Sequence, residues 1–201
     1  MQRKKGYQSN VWYPFPVHSL QECSSLPIGP KEVGASHFAT NKLAYSTLVV
    51  RVWSSNGSWW FILFSRAVET TAKLKCLQHE WLLHKLRAMG LLTEWMQVTW
   101  YVDVGPNQRC NEVITHAGVS LGELFKIHIM VLVALECHGK CRLDGEMGEM
   151  VQVRDLAATN VVIESIDQMC SIHEAHHNRL KRLDPTMDDK FLHWLDARHP
   201  P

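Results

Sequence analysis

Two runs rich in β-branched and aromatic residues, 45–53 and 58–64, dominate the apolar pattern of the first half of the chain. Such runs predict strands. Between them lies Ser54-Ser55-Asn56-Gly57. Asn-Gly supplies the positive φ angles of a tight turn, so the runs predict a hairpin turning at Asn56-Gly57. Over 72–89 the spacing changes, with Leu74, Leu77, Trp81 and Leu82 falling near i, i+3, i+7 and i+8. That spacing predicts a helix with one apolar face on the hairpin, and Gly90 is its natural stop. Residues 95–104 and 112–115 read as further strands, with breaks at 105–108 and 116–118. A helix from 120 to 125 is expected to continue through 126–137, where Ile127, Met130, Val131, Val133, Ala134 and Leu135 call for burial. A loop over 139–148, a short strand over 160–164 and an amphipathic helix over 188–197, with Phe191, Leu192 and Leu195 on one face, complete the pattern. Residues 1–40 carry Pro14, Pro16, Pro27 and Pro30 and little periodicity, so they read as an irregular N-terminal arm. Gly29 and Gly34 in that arm do not fit a glycine-rich phosphate loop and read as turn glycines.

Composition narrows the class. A chain of 201 residues is long enough for one domain with a core. Apolar residues at 46% and charged residues at 20% fit a soluble globular protein. No apolar run is long enough to span a bilayer, and the basic start Met1-Gln2-Arg3-Lys4-Lys5-Gly6 leads into polar and aromatic residues, so neither a membrane nor a signal peptide is expected. A net charge of +1 gives no basic field for nucleic acid. The six Cys residues show no tight disulfide framework and read as free thiols of a reducing, cytoplasmic setting.

The stretch carrying the most chemistry is Arg154-Asp155-Leu156, three variable residues, Asn160 and a β-branched run. The protein-kinase catalytic loop has the form H-R-D-L-x-x-x-N. Here only its first His is missing, replaced by Val153. In that loop the Asp orients the attacking hydroxyl and the Asn holds magnesium. The plain alternative is a surface turn, with Asp155 as a cap and Asn160 at a turn position.

Together with the hairpin, the helix holding Glu80, the strands and the buried helix, this motif gives an order that resembles a protein kinase-like domain, most of all the small divergent kinase-like proteins of fungi. The resemblance covers about 49–180. It implies an α+β, two-lobe fold: a small β-rich lobe from 41 to about 115 and a shortened helical lobe to 201. It implies that the backbone of Glu112, Ile114, Thr115 and His116 forms a hinge strand against the adenine of ATP. It makes Asp155 the catalytic base, Asn160 and Glu174 magnesium ligands with Asp167 as an alternative, and Glu80 the partner of a strand lysine. The function implied is ATP-dependent phosphotransfer of the Ser/Thr type, acting on a protein substrate. The departures favour an impaired enzyme or a pseudokinase that binds a partner. No lysine stands near Phe64, although Arg66, Lys73 and Lys75 follow, and there is no D-F-G and no glycine-rich loop. The plain reading of Glu80 is a solvated helix charge.

A third reading comes from a different class. Cys137-His138-Gly139-Lys140-Cys141 with Cys170, His173, His176 and His177 could form a zinc site, since zinc takes Cys and His at short spacings. The plain readings are a polar surface turn for His176 and His177, and a core thiol for Cys137.

Overall fold

The structure is a computed structural model that describes residues 24–26, 28–29, 43–54, 56–65, 72–102, 111–133 and 142–195. Its centre is a sheet of order β1-β2-β3-β6, formed by β1 (Ser24–Leu26), β2 (Leu43–Ser54), β3 (Gly57–Ser65) and β6 (Asp189–Leu195). β1, β2 and β3 pair antiparallel, and β6 runs parallel to β3. The hairpin forms, with Ser54 and Gly57 as its last pair. Its turn therefore sits one residue earlier than expected. Gly57 is the first strand residue, at φ +137°, a value that side-chain-bearing residues rarely adopt. The backbone N–H of Asn56 donates to Ser54 Oγ at 3.0 Å across the turn.

From Trp60 to Ser65, β3 is buried without alternation, as a strand covered on both faces should be. On one face Leu48, Val50, Val52, Phe61 and Leu63 pack with Leu82, Leu83 and Leu86 of α1 (Ala72–Ala88). On the other, Val49, Trp60, Ile62 and Phe64 pack with Met147 and Met150 of α4 (Arg142–Ala158) and with Ile166 and Met169 of α5 (Ile166–Leu183). Fully burying a Phe or Leu in this way contributes roughly 2–3 kcal/mol each. α1 ends where Gly90 takes φ +70°. Ser165 caps α5, its Oγ accepting from the Gln168 N–H at 3.1 Å, while Gln168 Oε1 accepts from the Glu164 N–H at 3.0 Å.

A second, two-stranded parallel sheet pairs β4 (Gln97–Val102) with β5 (His128–Val133). Between them run α2 (Asn111–Thr115), a π-helical turn (His116–Leu121) and α3 (Gly122–Phe125). Val113, Ala117, Leu121 and Phe125 are all buried. This four-residue spacing is helical, which is why 112–115 is a helix and not the hinge strand expected. Lys126 closes α3 in the left-handed region at φ 51°. Beyond it, Ile129 and Val131 pack on the core while Met130 and Leu132 face outward. That alternation makes 128–133 a strand and not the continuation of a helix.

Three further expectations change. The Arg154-Asp155 motif is not a loop, because it lies in the last turns of α4, which ends at Ala158. Residues 160–164 form no strand, and only Ile163 bridges, antiparallel, to Ile28. Residues 189–195 are strand β6 and not a helix, since the free edge of β3 takes them as a parallel partner. Phe191 then faces α1, while Leu192 and Trp194 face the opposite cluster. Within the stretch expected to be irregular, Ser24–Leu26 adds to the sheet. The turn at 105–108, Gly34 and Cys137 to Cys141 lie outside the described residues. The described elements gather around a four-stranded sheet and a two-stranded one and do not show a two-lobe kinase arrangement. No described helix is long and apolar enough to cross a membrane.

Candidate ligand-binding site

The residues singled out by the kinase resemblance do not converge. Asp155 has a side chain 57% exposed and pairs with its neighbour Arg154 at 2.8 Å. Asn160, also exposed, donates from Nδ2 to Thr159 Oγ1 at 3.0 Å. Glu80 lies 3.9 Å from His84 one turn along α1, and among the described residues no strand lysine meets it. Glu112, Ile114 and Thr115 are exposed on α2, and His116 is half-buried at the start of the π-helical turn. Their N–H and C=O groups belong to helix and not to an open hinge strand. Glu174 is exposed on α5, and among the described residues no group of three or more His, Cys, Asp or Glu is placed to hold a metal ion. The zinc reading fares no better. Cys170 remains a thiol, its pKa pushed up to about 12 by burial and then by Glu174 and Asp167. His176 and His177 lie on α5 and not on a surface turn, and His177 is buried with His173 while His176 is half-buried. Of the lysine substitutes, Lys75 is buried on α1 with Gln78 Oε1 3.1 Å from its ammonium, Lys73 is exposed, and Arg66 lies outside the described residues.

The polar side chains that do converge lie where α4, α5 and β6 meet. The register of β6 on β3 sets Lys190 beside Trp60. Lys190 is a surface-type residue, yet its side chain is only 6% exposed because two carboxylates receive it. Its Nζ contacts Glu146 Oε1 closely and Glu149 Oε1 at 3.4 Å. Glu146 and Glu149 are three apart on α4 and so share a face. Glu149 also lies 3.6 Å from His176 Nε2. Just before β6, Asp188 Oδ2 accepts from Arg51 Nη2 at 2.6 Å, and its Oδ1 accepts from Ser58 Oγ. The Arg51 guanidinium is stacked 4.6 Å from the Trp53 ring centre and 5.1 Å from that of Trp60. These groups bound a cleft of about 270 Å³, lined by Trp60, Glu146, Glu149, His177, Asp188 and Lys190 together with Gly145 and Met187.

His177 reaches this cleft from α5. Ile166, Met169, His173 and His177 recur every three or four residues, so both histidines lie on the sheet-facing stripe of that helix. His177 is 5% exposed, and among the described residues no group bonds either ring nitrogen. Burial lowers its pKa, with Lys190 and Lys181 adding and Asp189 and Glu149 opposing. The ring is therefore neutral at pH 7 and offers one N–H donor and one acceptor nitrogen. Further along the sheet, His173 stacks on Phe64, and burial pushes its pKa down to about 4. It borders a cavity of about 20 Å³ with Tyr45, Met150 and Arg154, room for a water and no more.

Sequence reading assigned these residues to other roles. Glu146 fell in an expected loop, Asp188 and Lys190 in an expected helix, and His177 in a zinc set. The spacing Glu146-x-x-Glu149, and the placing of His173 and His177 in step with Ile166 and Met169, were the available signals.

No protein-family model matches the chain, and no curated protein matches it. Among solved structures, the chain is similar to the catalytic domain of Mos1 mariner transposase, with a TM-score of 0.41 and 14% identity over 92% of this chain and 74% of that one. A likeness at that score carries no argument about function here. The helical Asp155 segment and the helical 112–115 overturn both the kinase-like resemblance and the phosphotransferase or pseudokinase function drawn from it.

Proposed function

We propose that the protein is a binding module for a small polar molecule, which sits in the cleft between α4, α5 and β6. The observation that carries this reading is His177: it is nine-tenths buried, it lines the cleft, and among the described residues no group bonds its ring nitrogens. A buried polar group without a partner costs roughly 1–3 kcal/mol. A ligand that bonds the ring recovers that cost, so the site favours occupation. The cleft volume of about 270 Å³ lies just below the roughly 300 Å³ at which drug-sized ligand sites begin, so it suits a small molecule. Trp60 supplies an apolar wall, and the carboxylates supply orientation.

A thermal-shift screen of small polar compounds tests the reading. A ligand that binds only the folded state raises Tm by mass action. At least one compound should raise Tm in the native protein and fail to do so in His177→Phe. The reading is overturned if no compound raises Tm, or if His177→Phe responds equally.

A further inference from the structure

Resting on that cleft, we infer that its ligand is a small organic cation, a primary ammonium or guanidinium compound whose N–H groups bond Glu149 and His177. The argument starts from which charges are already matched. Three carboxylates border the cleft: Glu146, Glu149 and Asp188. Two cations answer them. Lys190 and Glu146 are both deeply buried and in direct contact, at 6% and 9% side-chain exposure. Arg51 and Asp188 pair at 2.6 Å behind the cleft floor. Glu149 is the charge left over. Its Oε1 lies 3.4 Å from the Lys190 nitrogen, which Glu146 already engages more closely, and 3.6 Å from His176. Its Oε2 has no bond among the described residues. With a side chain 36% exposed, it is also the carboxylate most open to an incoming group.

Two acceptors therefore remain unfilled among the described residues, Glu149 Oε2 and one nitrogen of His177, beside the single N–H donor of that ring. A ligand that brings donors and positive charge completes both. An anion would meet Glu146, Glu149 and Asp188 with both local cations already engaged. A bare metal ion does not fit either, since no group of three suitable ligands gathers among the described residues. The Trp60 ring gives the aliphatic part of an amine an apolar surface.

The test uses full-length protein labelled with ¹⁵N-histidine and four probes: agmatine, putrescine, the neutral N-acetyl derivative of propylamine, and succinate. Agmatine or putrescine should shift the His177 ring resonances and raise Tm, and raising the salt should weaken the effect. Glu149→Gln should weaken binding at least tenfold. Glu174→Gln, on the exposed side of α5, should leave it unchanged. The comparison of charged and neutral probes on the native protein needs no variant, so it stands even if Glu149→Gln does not fold. If succinate or the neutral amide binds at His177 and the amines do not, the cation inference fails while the binding cleft stands. If no probe and no screened compound binds, both fail. Amine binding that Glu149→Gln leaves intact also overturns the inference.

Discussion

Lys75 offers the sharpest physical test of the fold. It lies on the buried face of α1 at 1% exposure, with an amide oxygen, Gln78 Oε1, as its partner at 3.1 Å. An amide does not neutralise an ammonium, and burial takes the pKa down from 10.5 to about 7. In the unfolded chain the ordinary value returns. Between about pH 7 and pH 10.5 the unfolded chain therefore holds a proton that the folded chain lacks. Unfolding free energy then rises with pH by about 1.4 kcal/mol per unit. The stability is fully present above the unfolded pKa and is lost as pH falls to the folded one. Across that gap the sum is on the order of 4–5 kcal/mol, a large share of the ~5–15 kcal/mol total of a typical domain. Lys75→Met removes the titrating group at similar length and keeps the α1 core filled. At pH 7 the variant should be several kcal/mol more stable than the native protein, and the two should converge toward pH 10. Urea unfolding of both proteins at each pH from 6 to 10 measures this, because taking the difference cancels titrations common to both. A difference that stays flat with pH, or a variant less stable at pH 7, would refute the argument that the ammonium is buried at a cost.

Two further outcomes follow from the helices. Ser165→Ala removes the cap of α5 and should cost about 1 kcal/mol in urea unfolding; an unchanged midpoint would show that Gln168 does not depend on Ser165 Oγ. For His173 the folded pKa of about 4 lies below the ordinary 6.5, so the stability it contributes above pH 6.5 is lost as pH falls toward 4. His173→Phe, which keeps the ring against Phe64, should flatten the acid limb of a stability–pH curve between those values. A limb of unchanged slope would mean that the ring titrates in contact with water.

The sequence by itself determined the local elements whose signals are self-contained. The turn between Ser54 and Gly57 needs only its own local preferences, with Gly57 at φ +137°, and the leucines of α1 need only their own period. The uninterrupted apolar run of β3 already carried the information that both of its faces are covered. The remaining elements depended on what they pack against. Residues 128–133 are apolar enough for a buried helix, and became a strand because β4 pairs with them. Phe191 and Leu192 suit one face of a helix, but the open edge of β3 places them on opposite faces of a sheet. The R-D-L-x-x-x-N letters were present without their loop, because α4 runs through Arg154 to Ala158 and only Thr159 and Asn160 lie beyond its end. The cleft was hidden for the same reason. Glu149, His177 and Lys190 come from three elements separated in the chain, and only the parallel seating of β6 beside β3, under α4 and α5, brings their charges and the His177 ring to one place.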